Sequence, residues 1–231
     1  MCRRSRFEAW LESNQSSEAG GQPMQDVLKI ISVTPHNEQH GRPMSDDEVS
    51  SLRASSPRLD RGDYDALLAY LHRTGRPYRA FYNFPHPDNS LVLQANAKHV
   101  TEINIGASTY SCEAAHVAQS LVLFQAPDAP RVQVIGRIQA IWGIPLEGYL
   151  RYFLVVRSHK MLSQEEQGLG PYLAYPGFKS QLVDAELSLD FAIIEPHHLI
   201  THVAGFPLEA GSYEIPRPTI ACTISLYRDK R

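Results

Sequence analysis

Cysteine, long apolar runs and an excess of either charge are all scarce in these 231 residues. Apolar stretches such as Leu121–Phe124 and Leu154–Val156 last only a few residues, whereas a membrane-spanning helix needs roughly 20. Three cysteines (Cys2, Cys112 and Cys222) are too few and too scattered for a disulfide framework. Lys and Arg total 22 against 25 Asp and Glu, a net charge of −3, so the basic excess typical of phosphate-driven binding is missing. Phosphate-loop and dinucleotide glycine patterns are absent too. Arg3, Arg4 and Arg6 are followed at once by Glu8 and Glu12, with none of the apolar core of about 7–15 residues that a secretory signal carries. The expectation is an intracellular protein with free thiols.

What is present divides at residue 61. Residues 1–61 hold 8 basic and 9 acidic side chains and ten serines, too little apolar surface to offset ordering entropy. They read as a mostly disordered arm with two short helices. One is Gln25–Ile31, with Val27, Leu28 and Ile31 on a shared face. The other follows Ser45-Asp-Asp-Glu48, the capping-box pattern. Residues 62–77 read as a docking helix. Asp63 is placed to cap it, Tyr64, Leu67, Leu68 and Leu71 recur at helical spacing, and Gly75 and Pro77 end it.

From residue 78 to 231 the apolar period changes to two. Thr219–Arg228 alternates cleanly, Leu150–Val156 is apolar on both faces, and Arg131–Trp142 is long enough to bend, with Gly136 as the expected bulge. Further strands are expected at Leu91–Gln94, Val100–Ile105, Ser108–Cys112, Leu121–Phe124, Gln181–Leu187, Phe191–Ile194 and Leu199–Phe206. Turns are expected at Pro127–Pro130, at Gly143 with Pro145, at Gly168–Pro171, at Pro176-Gly177 and at Gly211. Strand after strand without helix-length patterns implies a mainly β fold, an antiparallel sandwich or partly closed barrel.

The densest polar cluster is Glu195-Pro-His-His198-Leu-Ile-Thr-His202. His198 and His202 have metal-ligand spacing on a helix. Pro196 and the β-branched Ile200, Thr201 and Val203 favour a strand, where positions four apart lie roughly 13 Å apart. A metal site would then draw on Cys112 or His116 from afar, and the plainer reading is hydrogen-bonded structural histidines. Cys112 and His116 have no visible oxyanion loop or strained elbow to make them a nucleophile and base. The residues therefore read as non-enzymatic and cofactor-free.

Two surfaces remain. Tyr110, Phe124, Trp142, Tyr152, Phe153, Tyr172, Tyr175 and Phe178 fall in or beside strands. Most must pack the core, but a few converging at the surface could cage a methylated ammonium. Arg131, Arg137, Arg151, Arg157 and Lys160 could line up as a modest nucleic-acid stripe, against the commoner reading of solvated surface.

A helix over Tyr64–Leu71, then Pro77-Tyr-Arg-Ala-Phe-Tyr-Asn-Phe-Pro-His-Pro87, then Gly136–Ile141, Pro171–Phe178 and Ile194–His202 resemble, in that order, the C-terminal region of CACTA-type transposon-derived proteins of mushroom-forming fungi. The resemblance covers roughly residues 62–231. Tyr110, Leu121–Phe124, Gly136-Arg-Ile138 with Ile141, Leu154–Arg157, Ile194, Ile200 and His202 are more loosely similar to the strand order of bromo-adjacent-homology domains. Those are partly closed β-barrels that read chromatin. The chain departs from that pattern at Tyr152-Phe153-Leu154, where Trp-Phe is common, and at Gln119-Ser120, where Gly-Asp is expected.

The resemblance implies a nuclear, mobile-element setting, with any catalytic carboxylates outside this region. The reading is thus a non-enzymatic interaction module, with chromatin proteins or a transposase-related partner as its targets, weak or no direct nucleic-acid binding and no membrane. Tyr110, Tyr152 and Phe153 are the candidate aromatic surface, and Arg137, Arg151 and Arg157 the candidate nucleic-acid contacts. The rivals are a metal-dependent enzyme built on Cys112, His116, His198 and His202, and a structural relic without a ligand.

Overall fold

The computed structural model describes residues 41–175 and 179–224. Cys2, the Gln25–Ile31 helix, the Pro176-Gly177 turn, Phe178 and the end of the strand expected to reach Arg228 lie outside them. The described residues belong to one compact unit beginning at Gly41.

Short strand β1 (Arg42–Pro43) leads into α1 (Asp46–Ser55), which starts at the predicted capping box. The Ser45 amide donates to Glu48 Oε2 at 3.0 Å, and the Glu48 amide donates to Ser45 Oγ at 3.3 Å. The chain after α1 is strapped down, with the Leu59 amide on the Ala95 carbonyl and the Ala97 amide on the Pro57 carbonyl. Residues 41–60, expected as part of the arm, thus belong to the same compact unit as the sheet.

Helix α2 (Arg61–Arg73) is the predicted docking helix. Its cap is Asp60, three residues before the expected Asp63, whose own amide donates to Asp60 Oδ1 at 2.8 Å. Its end falls where the sequence places it: Gly75 takes a φ of +78°, and the Gly75 and Arg76 amides donate to the His72 and Leu71 carbonyls, a Schellman closure. Tyr64, Leu67, Tyr70 and Leu71 are all buried, each contributing about 1.5–3 kcal/mol of apolar burial.

The chain then forms β2 (Arg79–Ala80), β3 (Val92–Leu93), β4 (Lys98–Val100), β5 (Glu102–Ile105), β6 (Ser108–Ser111), the one-turn α3 (Val117–Ser120), β7 (Leu121–Ala126), β8 (Ala129–Leu146) and β9 (Tyr149–Met161). After α4 (Gln164–Leu169) come β10 (Ser180–Ile194), β11 (Leu199–Leu208) and β12 (Thr219–Ile224). The fold is mainly β, as the period-two pattern implies.

Eight strands form one sheet in the order β1-β9-β10-β12-β11-β7-β8-β4, and an added β8–β9 pairing bends it into a partly closed ring. All its pairings are antiparallel. It is not a barrel, because β11 changes partners midway. Leu199–His202 pair with β7, whereas Val203–Leu208 pair with β12.

Several boundaries differ from expectation. Gly143 and Pro145 lie inside β8, and the hairpin turn falls at Glu147-Gly148, both at positive φ (54° and 79°), as a type I′ turn requires. The β8 irregularity lies between Ile138 and Ala140, past Gly136. Gly136 instead allows close approach: a Cβ there would sit 2.6 Å from the Arg157 carbonyl oxygen. Gln181–Leu187 and Phe191–Ile194 are one strand interrupted by register shifts, Val100–Ile105 falls in two strands, and the expected Gly168–Pro171 turn overlaps the end of α4, with Gly168 inside the helix.

The two apolar faces of β9 explain the packing. Phe153 and Val155 join Trp142, Ile144 and Ile193 beneath α2. Leu154 and Val156 face the opposite cluster with Val122, Phe124, Ile138, Ile141 and the β5–β6 hairpin residues Ile103 and Tyr110. A third cluster joins Leu121, Leu123, Ile135, Val183, Val203, Ile220 and Cys222.

Candidate interaction site

The sheet's partner exchange at β11 opens a crevice of about 670 Å³ between α3 and the start of β7 on one side and the second half of β11 on the other. Val117, Ala118, Leu121, Gly205 and Ile220 give it an apolar lining, and Arg137 and His202 are its polar groups. No carboxylate borders it. Among the described residues nothing pairs with Val203–Leu208 on the side away from β12.

Backbone chemistry orients that edge. Pro207 has no N–H, so at Pro207↔Ile220 the backbone groups must face away from β12. By alternation, Gly205 and Val203 turn their N–H and C=O groups the same way, toward the crevice edge. Gly205 also leaves room: a Cβ there would sit 2.5 Å from a Leu121 methyl.

Arg137 is held against the α3 wall by donating to the Val117 carbonyl at 3.2 Å, and its Nε lies 3.5 Å from Glu113. His202 stacks on Tyr110, with ring centroids 4.2 Å apart and planes 18° apart. Burial holds the His202 imidazole below the usual histidine range, opposed by a backbone contact with Thr109. The structure therefore gathers Tyr110, Arg137 and His202 at one place.

The other expected site residues lie elsewhere. Phe153 is fully buried, edge-on to Tyr70 at 6.0 Å, and Tyr152 sits half-buried on the opposite face of β9. Adjacent strand residues point to opposite faces, so Tyr110, Tyr152 and Phe153 do not form a surface aromatic cage, and that expectation is corrected. The arginine stripe is corrected too. Arg151 is buried between Glu147 (3.2 Å) and Glu195 (3.8 Å), and Arg157 donates to the Ser188 carbonyl at 2.7 Å.

The metal alternative also scatters. Cys112 is buried behind β6. His116 caps α3, its Nδ1 accepting from the Gln119 amide at 3.3 Å. His198 packs edge-on to Tyr70 with ring centroids 6.4 Å apart, and burial, followed by neighbouring His197, lowers its pKa. No three of His, Cys, Asp and Glu converge as a metal site among the described residues.

A buried ionic network went unread in the sequence. Glu195, 3% exposed, accepts from Tyr70 Oη at 3.2 Å and lies 2.9 Å from Arg76 Nη2. Arg151 links it to Glu147, which accepts from Tyr78 Oη at 3.3 Å. Its partners lie up to 125 positions away, beyond the reach of local pattern. The network ties the end of α2 to β9 and β10, and its chemistry is structural.

No protein-family profile, curated protein or solved structure matches this chain.

Proposed function

We propose that the chain is a non-enzymatic interaction module that takes an extended peptide into the β11 crevice. The observation that carries this reading is the unpaired Val203–Leu208 edge beside an apolar lining. An added strand gains backbone hydrogen bonds along such an edge and places alternate side chains in the crevice. Arg137, although shared with Glu113, is the charged group on a lining that holds no carboxylate, which favours an acidic, apolar segment over a basic one. A chromatin or transposase-related partner is proposed on the sequence fragments alone, and the crevice favours an acidic stretch of such a protein.

The test is selection of displayed peptides against the intact protein. Enriched sequences should alternate apolar residues with acidic ones. Their binding should weaken about tenfold when the exposed Val117 becomes Glu, because a like charge then faces the peptide. Enrichment of basic or methyl-lysine peptides, binding indifferent to Val117→Glu, or no enrichment at all would overturn the proposal.

A further inference from the structure

A second recess lies where α2 ends. It is an open cleft of about 600 Å³, bordered by Leu68, His72, Arg76, Arg79 and Asn83, with no carboxylate on its rim. Its shape follows from the chain. The Schellman closure at Gly75 turns the backbone sharply, a second tight turn centred on Pro77 follows, with the Tyr78 amide donating to the Arg76 carbonyl at 2.9 Å, and β2 then pairs parallel with β3. Arg76 and Arg79 are thereby brought to one concavity with His72 from the last turn of α2.

The two guanidinium groups differ in what holds them. Arg76 is oriented by buried Glu195, 2.9 Å from its Nη2, and its side chain remains 22% exposed. That pair is close to neutral. Arg79 is exposed, and its side chain makes no hydrogen bond or ion pair among the described residues. His72 Nε2 meets the Tyr78 carbonyl at 2.5 Å. A carbonyl only accepts, so Nε2 carries the proton and the ring is fixed in place. The cleft therefore offers one uncompensated positive charge, one oriented guanidinium and an amide, around a concave surface with Leu68 as its apolar border and the His72 ring, its Nε2 proton spent on Tyr78, as a fixed wall.

The negative end of the α2 dipole opposes an anion here. Its last carbonyls are, however, already engaged by the Gly75 and Arg76 amides, and a terminal dipole is a weak, solvent-screened fraction of a charge at an exposed site. A full guanidinium charge with charge-assisted hydrogen bonds outweighs it. A carboxylate would use one guanidinium fork. Several donors around a concavity suit a dianion with three acceptor oxygens.

We propose that this cleft binds a small phosphate monoester, the phosphate against Arg79 and Arg76 and the organic group over Leu68. The site is separate from the β11 crevice and does not depend on it.

The experiment titrates the intact protein with phenyl phosphate, inorganic phosphate and benzoate, read by calorimetry and by NMR shifts of the Gly75–Asn83 amides. Phenyl phosphate should saturate a single site, more tightly than inorganic phosphate, with benzoate weakest. Arg79→Gln, at an exposed residue outside the Glu195 network, should weaken phenyl phosphate about tenfold while leaving the unfolding midpoint unchanged. Asn83→Ala supplies a second variant on the same rim. Absence of saturable binding, benzoate binding as tightly as phenyl phosphate, or affinity unchanged in both variants would overturn the assignment.

Discussion

Tyr110 on β6 and His202 on β11 lie face to face, their rings 4.2 Å apart. With the backbone contact between Thr109 and His202, that stacking joins the β5–β6 hairpin to the strand that borders the crevice, and it half-buries an imidazole.

Three histidines share this fate, and the pH response follows. Burial is the leading cause that lowers His159, His198 and His202 below 6.5. Each binds its proton less readily in the fold than in the unfolded chain, so acid favours unfolding. Stability should be full above about pH 7 and should fall as pH drops through 6.5 toward the lowered folded values. Glu166, held at about 2 by Arg217, keeps its charge across that window. Urea midpoints across the interval check this, and a flat profile would contradict it.

Phe153→Ala should cost about 3–5 kcal/mol, because the ring is fully buried between α2 and the β8–β9 hairpin. Equilibrium denaturation measures it. A loss of under about 1 kcal/mol would place the ring at the surface.

Removing the charge of Glu195 leaves Arg76 and Arg151 partly buried without their shared partner. Glu195→Gln should destabilise by about 3–5 kcal/mol, and Tyr70→Phe, which loses only the 3.2 Å hydroxyl contact, by about 1 kcal/mol. The double variant should lose less than the sum, since both changes act on one carboxylate. Strict additivity in chemical denaturation would argue against a shared network.

Gly136→Ala should cost about 1–3 kcal/mol by overpacking. The added methyl would meet the Arg157 carbonyl oxygen at 2.6 Å, and backbone in mid-sheet yields poorly. Slower-exchanging amides at Arg137 and Ser158 in the parent than in the variant would report the loosened β8–β9 ladder.

The sequence made α2 legible because its stripe and its Gly75-Pro77 ending are local signals, and likewise the capping box at Ser45. The strands were legible from Thr219–Ile224 and Leu150–Val156, since alternation survives in one dimension. Gly143 and Pro145 misled because both are breakers in isolation, whereas a long strand tolerates proline where no donor is needed. The hairpin turn at Glu147-Gly148 had a glycine but no Asn or Asp before it to flag positive φ. For the site, the sequence marks Tyr110, Arg137 and His202 singly but not their meeting, which depends on strand register. The β11 edge was invisible, as a missing neighbour leaves no residue-level mark. Phe153 and Arg151 are buried against expectation because period-two patterning shows which residues share a face, not which face is covered.

The place of β12 bears on how the chain emerges during synthesis. It sits between β10 and β11, the two strands made immediately before it. Until Thr219–Ile224 leaves the ribosome, those neighbours in sequence must wait apart, each showing an open edge to other nascent chains. This six-residue strand acts as a wedge driven between two strands made before it. A translation stop just before Thr219 would thus leave a gap in the middle of the sheet, a graver loss than trimming an outer strand such as β4.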